Sequence, residues 1–354
     1  MNLASLTTFR VGGPVGTYVE AQSEDQLVDA VRAADSDGVP LLVVGGGSNL
    51  LVGDAGFDGV VVRDARQDVS LVNDGACGGV SITATAGTWW DALVAQAVES
   101  EWSGFEALSG IPGSVGATPV QNVGAYGAEV ADLVASVRTW DREEGAHRTF
   151  PLVALGFGYR DSMLKRSMTE GPWGPTPRYV VLDVTFHTRM ASLSAPVRYA
   201  QLATALDVEL GARVPIARVR EAVLALRASK GMVLDPADHD TWSAGSFFTN
   251  PIVPEQDVPE GAPRYPAAGD GLVKTSAAWL IEHAGFGKGF ALAGAEPGAE
   301  APASLSTKHT LALTNRGGAT AEDVAALARA VRDGVRDAFG ITLVPEPVTV
   351  GVEI

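Results

Sequence analysis

A glycine-rich segment early in the chain has the composition of a phosphate-binding loop. It follows the apolar run Leu41–Val44, which is typical of a short buried strand, and reads Gly45-Gly46-Gly47-Ser48-Asn49. Glycines at such a place expose backbone N–H groups and let a phosphate approach closely. A dinucleotide fingerprint needs glycine where Leu50 stands, and a P-loop needs Gly-Lys-Ser/Thr, so neither motif is present. A tight turn after a strand explains this segment equally well.

A second and longer segment, residues 108–127, is also rich in glycine. It includes Pro112 and Pro119 and shows neither helical nor strand periodicity. A loop of this length inside a folded domain needs a function or a ligand to order it. The two segments together therefore favour a site for a phosphate-containing ligand.

The two segments resemble the FAD-binding loops of the UDP-N-acetylenolpyruvoylglucosamine reductase family, through GGGSN in the first and SGIPGSVGATPVQNVGAYG in the second. The likeness spans nearly the whole chain, and PVQN followed by GAYG is much more specific than the first loop. It implies an α/β (α+β) fold, with a two-subdomain FAD-binding module of the vanillyl-alcohol oxidase type and an α+β substrate domain. It also implies bound FAD and NADPH as cosubstrate. The cofactor contacts implied are Gly45, Gly46, Gly47, Ser48, Asn49, Gly110, Ile111, Pro112, Gly113, Asn122, Gly124, Ala125 and Tyr126.

By the same resemblance, three further motifs supply the catalytic residues, namely Arg160 in GYRDS, Ser246 in AGSFFTNP and Glu346 in LVPEP. Hydride addition to an enolpyruvyl group drives charge into its carboxylate, and an arginine offers that group bidentate hydrogen bonds. Glu346 would act beside the arginine, protonated or through a water, and Ser246 would deliver a proton to the enolate carbon. Each of these residues alone also has a structural explanation. Arg160 could form a surface ion pair, Ser246 could be a turn residue, and Glu346 could lie at the end of a loop. Their combination with both glycine loops favours catalysis.

The second half of the chain is expected to bind a nucleotide sugar. Lysines flanked by glycine suit an approach to phosphate, although Lys288 alone fits a solvated lysine equally well. His309 stands where related proteins can carry glutamine. The segment around Tyr199 resembles the larger of the family's two structural types, which closes a tyrosine loop over the substrate. The substrate contacts implied by the resemblance are Tyr159, Tyr199, Lys230, Asn250, Lys288 and His309.

Helical patterns indicate the elements that must position these residues. Ser23 and Gln26 predict a capping box at the start of a helix over 23–34, and the spacing predicts further helices over 88–99 and 215–230. The clearest helix is predicted over 320–338, with Thr320 and Asp323 at its start and Gly340 after its end. A strand is predicted over 179–186, a ligand-binding loop over 103–128 and a mobile surface loop over 291–304.

The predicted organisation has three parts. Residues 1–200 form the FAD-binding module, with subdomains of about 1–65 and 66–200, and residues 191–213 form a hinge. Residues 212–338 form the substrate domain, and residues 339–354 return with Glu346 to the active site. A chain of 354 residues suits two or three domains better than one core.

The composition excludes several classes of protein. The formal net charge is −16, which makes nucleic acid and anionic membrane poor partners. The single cysteine, Cys77, cannot form an intramolecular disulfide, and the five histidines are too far apart in sequence for metal ligation, so we predict no metal. The N-terminus lacks the features of a secretory signal and the apolar runs are short, which predicts a soluble cytoplasmic protein, expected to be monomeric.

Two other functions remain open at this stage. A flavin oxidase of the same fold would use another substrate and oxygen, but would have no reason to combine Arg160, Ser246 and Glu346. A nucleotide-sugar sensor on the same scaffold would carry no flavin colour. The spacing of Ser162 and Lys165 also fits the SxxK motif of serine acyl enzymes, but the accompanying Lys-Thr-Gly is missing, so we interpret the match as accidental.

Overall fold

The computed structural model describes residues 1–73, 79–292 and 301–354 of the chain. Cys77 and most of the predicted surface loop over 291–304 lie outside the described residues. The helices are α1 Glu24–Ser36, α2 Trp90–Glu99, α3 Leu152–Leu155, α4 Met163–Arg166, α5 Ala200–Leu206, α6 Ile216–Ser229, α7 Ala277–His283 and α8 Ala321–Phe339. The strands are β1 Val15–Ala21, β2 Leu41–Val44, β3 Leu50–Val52, β4 Phe57–Asp64, β5 Val69–Asn73, β6 Val80–Thr85, β7 Trp102–Ser103, β8 Gly124–Ala125, β9 Ala128–Glu129, β10 Val134–Asp141, β11 Ala146–Pro151, β12 Tyr179–Met190, β13 Ile252–Pro254, β14 Arg264–Pro266, β15 Leu272–Thr275, β16 Ala303–Leu305, β17 Leu313–Asn315 and β18 Val348–Val350.

Internal contacts divide the chain into two compact units. Unit 1 comprises Met1–Pro14, Ser48–Phe57 and Lys230–Ile354, and unit 2 comprises Val15–Gly47 and Asp58–Ser229. Both units combine helices with strands, which confirms the predicted mixed α/β (α+β) class. The assignment of FAD and substrate roles to particular segments stays a prediction.

Besides the short β8–β9 hairpin, the described residues of unit 2 form two sheets. One has the strand order β1-β4-β2, with β2 and β4 parallel, and the other has the order β11-β10-β12-β6-β5 and is antiparallel. Helix α1 buries Leu27 and Val31 against apolar residues of both sheets, including Trp140 of β10. Helix α2 buries Trp90 and Leu93 in a second core with β6 and β12. These cores fix the end of β2, where the first glycine-rich loop begins, and bury Leu108 and Val115 of the second loop.

Unit 1 is built around helices α7 and α8. Their apolar faces share one core with the short β16–β17 pair and with Phe247 and Phe248. Strand β18, near the end of the chain, pairs in parallel with β3, which directly follows the first glycine loop in sequence. This pairing holds the C-terminal segment against the residues that follow Asn49.

The strongest helix predictions are confirmed. Helix α8 carries the predicted capping box between Thr320 and Asp323, and Gly340 ends it in the left-handed conformation with φ of 71°. The capping box predicted at α1 is only half correct. The side chain of Gln26 accepts a hydrogen bond from the N–H of Gln22, at 2.7 Å, and not from the N–H of Ser23. Helix α6 ends one residue before Lys230, and strand β12 continues four residues beyond the predicted end.

No helix in the described part of the chain is long and apolar enough to cross a bilayer.

We predict that Thr320→Ala lowers the free energy of unfolding by about 1 kcal/mol. The Thr320 hydroxyl accepts from the N–H of Asp323 at 3.1 Å, and alanine leaves that donor without its acceptor at the start of the most deeply packed helix. Urea unfolding followed by circular dichroism measures the change. Thr320→Ser, which keeps the hydroxyl, is the control, and equal loss in both variants would show that the cap contributes nothing.

Candidate active site

The first glycine loop packs directly on the second. A Cβ atom added to Gly46 would lie 2.6 Å from the Cα of Gly113, and one added to Gly45 would lie 2.2 Å from the Ser114 hydroxyl oxygen. Gly47 has φ of 61°, a conformation that favours glycine. Gly45 and Gly46 therefore pack directly against Gly113 and Ser114 within unit 2. Ser48 and Asn49, the last residues of the motif, are grouped with unit 1.

Helix α6 and the start of α2 hold the second loop in place. Asp91 of α2 accepts from the N–H of Gly110 at 2.6 Å, and Arg220 of α6 donates to both oxygens of Asp91 at 2.7 and 2.9 Å. Burial alone would raise the pKa of Asp91, but the hydrogen bonds from Arg220 and Gly110 hold it below its ordinary value. Neither side chain could be assigned this role from the sequence, since Asp91 fits an ordinary acidic residue in the first turn of a helix.

The remainder of the second loop forms a small hairpin. Gly124 and Ala125 form β8, which pairs with β9, and Tyr126 lies edge-on to Tyr199 with 5.6 Å between the ring centroids. Burial raises the pKa of the Tyr126 hydroxyl. A Cβ on Gly124 would lie 2.9 Å from the carbonyl oxygen of Ala128 and 3.3 Å from the guanidinium of Arg160. Only glycine allows these close approaches at position 124.

Arg160 lies in a tight turn, where its φ is 54°. The N–H and C=O groups of Gly158 and Asp161 bond to each other across the turn, at 3.0 and 3.3 Å. The guanidinium of Arg160 donates to the carbonyl oxygen of Gly124 at 2.9 Å, and Lys165 donates to the carbonyl of Arg160 at 3.0 Å. The acidic neighbour Asp161 forms its ion pair with Arg166.

Ser162 has a structural role that explains the SxxK match. Its hydroxyl is buried, donates to the carbonyl oxygen of Val120 at 2.5 Å and accepts from the N–H of Lys165 at 3.1 Å, which caps α4. A hydroxyl engaged in this way serves the local backbone.

The motifs that contain Ser246 and Glu346 lie side by side in unit 1. The N–H of Glu346 donates to the carbonyl oxygen of Phe247 at 2.8 Å, and the N–H of Thr249 donates to Val344 at 3.0 Å. Phe247 and Phe248 are fully buried and anchor the AGSFFTNP motif, whereas Ser246 remains partly exposed. The side-chain amide of Asn49 donates to the carbonyl oxygen of Glu346 at 3.3 Å. The structure thus brings Ser246, Glu346 and Asn49 together.

Lys230, Lys288 and His309 form a basic cluster, also in unit 1. Burial and the charges of the two lysines lower the pKa of His309 to about 4, so the imidazole is neutral at neutral pH. The loop before His309 is held by Asp240, which accepts from the N–H of Thr307 at 2.9 Å. Asp240 is buried, and no motif in the sequence marks it for this role. Asn250 accepts from the N–H of Ala277 at 3.0 Å, at the start of α7.

No three His, Cys, Asp or Glu side chains are grouped so as to hold a metal ion within residues 1–73, 79–292 and 301–354.

Comparison with known proteins identifies the chain. A model of the FAD-binding domain family matches residues 15–150, and a model described as the C-terminal domain of UDP-N-acetylenolpyruvoylglucosamine reductase matches residues 235–350. The UDP-N-acetylenolpyruvoylglucosamine reductase of Cutibacterium acnes is 58% identical over 352 residues, covering 99% of this chain and 90% of the relative. That of Nocardia farcinica is also 58% identical, over 366 residues, covering 100% of this chain and 90% of the relative.

A solved structure agrees with these relatives. The crystal structure of UDP-N-acetylenolpyruvylglucosamine reductase from Thermus caldophilus is 26% identical, with a TM-score of 0.64, and the match covers 99% of this chain and 97% of that one. The fold and the two glycine-rich loops define an FAD-dependent oxidoreductase. Specifically, the chain belongs to the UDP-N-acetylenolpyruvoylglucosamine reductase family.

We predict that Gly46→Ala weakens FAD binding by about tenfold or more. The added methyl group would collide with the backbone of Gly113 and separate the two loops. Flavin absorbance per protein after dialysis, followed by titration with FAD, measures the loss. Gly318→Ala is the control, because a Cβ there meets nothing within 4 Å. Full flavin retention in Gly46→Ala would show that the cofactor lies elsewhere.

We predict that His309→Gln makes the protein less sensitive to mild acid. The folded pKa of about 4 lies below the ordinary 6.5, so unfolding takes up a proton between these values, and stability is lost as the pH falls from 6.5. Glutamine does not take up this proton, so it removes the associated loss of stability, which amounts to about 1–2 kcal/mol at pH 5. Urea unfolding of both proteins at pH 7.5 and pH 5 measures it. Equal losses of stability in both proteins would show that His309 titrates normally.

Proposed function

We propose that this protein catalyses the NADPH-dependent reduction of UDP-N-acetylglucosamine enolpyruvate to UDP-N-acetylmuramate, in peptidoglycan precursor synthesis. The observation that carries the proposal is the pairing of the two motifs that hold Ser246 and Glu346, next to Asn49 of the first glycine loop. The names of the full-length relatives support it, since they describe reductases of this sugar nucleotide.

The glycine loops would hold FAD in this proposal. Gly45 and Gly46 pack so closely against Ser114 and Gly113 that neither position has room for a Cβ, and backbone without side chains suits contact with a diphosphate and a flavin ring. When bound and reduced by NADPH, FAD would supply the hydride that adds to the enolpyruvyl double bond, and a proton would complete its saturation. The protein's own part is to bind, orient and protonate the substrate.

Arg160 would bind the carboxylate of the enolpyruvyl group. The planar fork of a guanidinium matches the two oxygens of a carboxylate, and the bonds from Arg160 to the carbonyl oxygens of Gly124 and Asn122 fix where that fork lies. Negative charge builds on that carboxylate as the double bond is reduced, and a fixed cation stabilises it more in the transition state than in the ground state. Glu346 would assist the same group, protonated or through a water.

Ser246 would deliver the proton that completes the reaction. It lies on a partly exposed stretch directly before the buried Phe247, so the core fixes its backbone while its side chain remains accessible. A hydroxyl is a weak acid, but a carboxylate-stabilised carbanion is basic enough to take its proton.

The basic cluster would bind the diphosphate of the sugar nucleotide. Lys230 and Lys288 supply charge, and neutral His309 can donate or accept a hydrogen bond without adding a third cation. Tyr159, Tyr199 and Asn250 would complete the substrate contacts. The proposal also includes a monomeric protein in the cytoplasm with no nucleic-acid or membrane partner, consistent with the net charge of −16.

The activity can be tested with purified protein, NADPH and the enolpyruvyl sugar nucleotide. We expect NADPH oxidation that depends on the sugar nucleotide, together with a product two hydrogen atoms heavier by mass spectrometry. Oxygen consumption without that product would favour a flavin oxidase. Binding of the sugar nucleotide by a protein without flavin colour would favour a sensor.

We predict that Ser246→Ala slows the step that consumes the sugar nucleotide by about 10²- to 10⁴-fold and leaves FAD content unchanged. Reduction by NADPH should stay within a few-fold of normal, because that step needs no proton from Ser246. Stopped-flow absorbance follows each half-reaction separately. Ser70→Ala, on an exposed part of β5, is the matched control. Rapid reoxidation of Ser246→Ala by the sugar nucleotide would show that another group is the acid.

A further inference from the structure

Asn122 is placed among the flavin contacts by family resemblance, but its side chain has a different set of partners. The amide nitrogen donates to the carboxylate of Glu129 at 2.7 Å and to the carbonyl oxygen of Gly158 at 3.0 Å. The amide oxygen accepts from the N–H of Ala131 at 3.1 Å. Both N–H donors are therefore used inside unit 2, and the residue is only 1% exposed.

The orientation of this amide follows from its neighbours. Two acceptors, Glu129 and Gly158, face one end of the amide, and a donor, the N–H of Ala131, faces the other. Rotating the amide by 180° would oppose acceptor to acceptor and donor to donor, so a single orientation satisfies the network.

Gly158 is the first residue of the turn that carries Arg160. Its carbonyl oxygen accepts both the Asn122 amide and the N–H of Asp161, which closes the turn at 3.3 Å. Asn122 therefore holds the base of the turn, and Glu129 holds Asn122 from the opposite side. The link spans 36 residues of sequence and joins the PVQN motif to the GYRDS motif.

The backbone of the same asparagine contacts the other end of Arg160. The guanidinium donates to the carbonyl oxygens of Gly124 and Asn122, at 2.9 and 3.4 Å. Asn122 and Arg160 both adopt left-handed backbone conformations, with φ of 46° and 54°. Such conformations cost free energy in residues other than glycine and persist only where surrounding contacts enforce them, and asparagine tolerates them better than most residues.

We propose that Asn122 is a positioning residue for Arg160, and that its side chain is not a flavin contact. The inference rests on the proposed function, in which Arg160 binds the enolpyruvyl carboxylate. Loss of the Asn122 amide would release the base of the turn and leave the Glu129 carboxylate and the Gly158 carbonyl without their common donor. A shift of about 1 Å in a group that orients substrate costs about 10²-fold in rate.

The test separates the two half-reactions in Asn122→Asp and Asn122→Ala. The aspartate is nearly isosteric and keeps the acceptor for Ala131, but it lacks the N–H donors and places a second charge beside Glu129. We expect reoxidation by the sugar nucleotide to slow by about 10²-fold in both variants, because the guanidinium of Arg160 is displaced in both. FAD content and reduction by NADPH should stay within about threefold of normal.

Asn315→Ala is the matched control for the loss of a buried asparagine. Its amide donates to the carbonyl of Phe9 at 2.9 Å and accepts from two backbone N–H groups, and the residue is 3% exposed, but it lies in unit 1. We expect it to lower the unfolding temperature by a similar amount and to leave the ratio of the two half-reaction rates unchanged.

The outcomes are distinct. A defect in FAD content or NADPH reduction as large as the defect in reoxidation would show that Asn122 serves the flavin site, and would overturn the proposal. Reoxidation within threefold of normal in both variants, or loss of folded protein in both, would also overturn it. Failure of the sugar nucleotide to reoxidise the unmodified reduced protein would instead refute the proposed function.

Discussion

The conformation of the loop between β7 and β9 depends on buried polar side chains that bind its backbone. This loop lacks the regular hydrogen bonding of a helix or sheet over most of its length, so its N–H and C=O groups need other partners. Glu106 accepts from the N–H groups of Gly104 and Ala195 at 2.6 and 3.0 Å, and Asp91 accepts from the N–H of Gly110. Asn122, within the loop, ties it to the carbonyl oxygen of Gly158. Glu106 is almost fully buried, and this burial raises the pKa of its carboxyl.

The same arrangement recurs in unit 1, where Asp240 binds the backbone of the loop that ends in His309. Its carboxylate accepts from Thr307 and from Arg316, and it is almost fully buried. In both units, residues predicted to contact ligands lie on loops, and the residues that fix those loops lie behind them. Buried carboxylates and amides suit this role, because losing a partner inside a protein is costly and so enforces one geometry.

Regular elements and glycine loops could be predicted from the sequence because their signals are local. The capping residues of α8, the apolar run of β2 and the glycines at 45–47 lie within a few positions of the features they determine. Asp91, Asp240 and the side-chain role of Asn122 could not be predicted this way. Their partners lie 129, 67 and 36 residues away, respectively, so no spacing in the sequence connects them. Even the local prediction for the Gln26 side chain was wrong, because it accepts from the N–H of Gln22, one residue before the predicted donor Ser23.

The central claim is that one flavin passes electrons from NADPH to an enolpyruvyl sugar nucleotide, and an anaerobic absorbance titration tests it most directly. The purified protein should show the visible absorption bands of oxidised flavin. One equivalent of NADPH should bleach them, and one equivalent of the sugar nucleotide should then restore them in the absence of oxygen. Bleaching by NADPH that only oxygen reverses would contradict the account, as would a protein that binds the sugar nucleotide but no flavin.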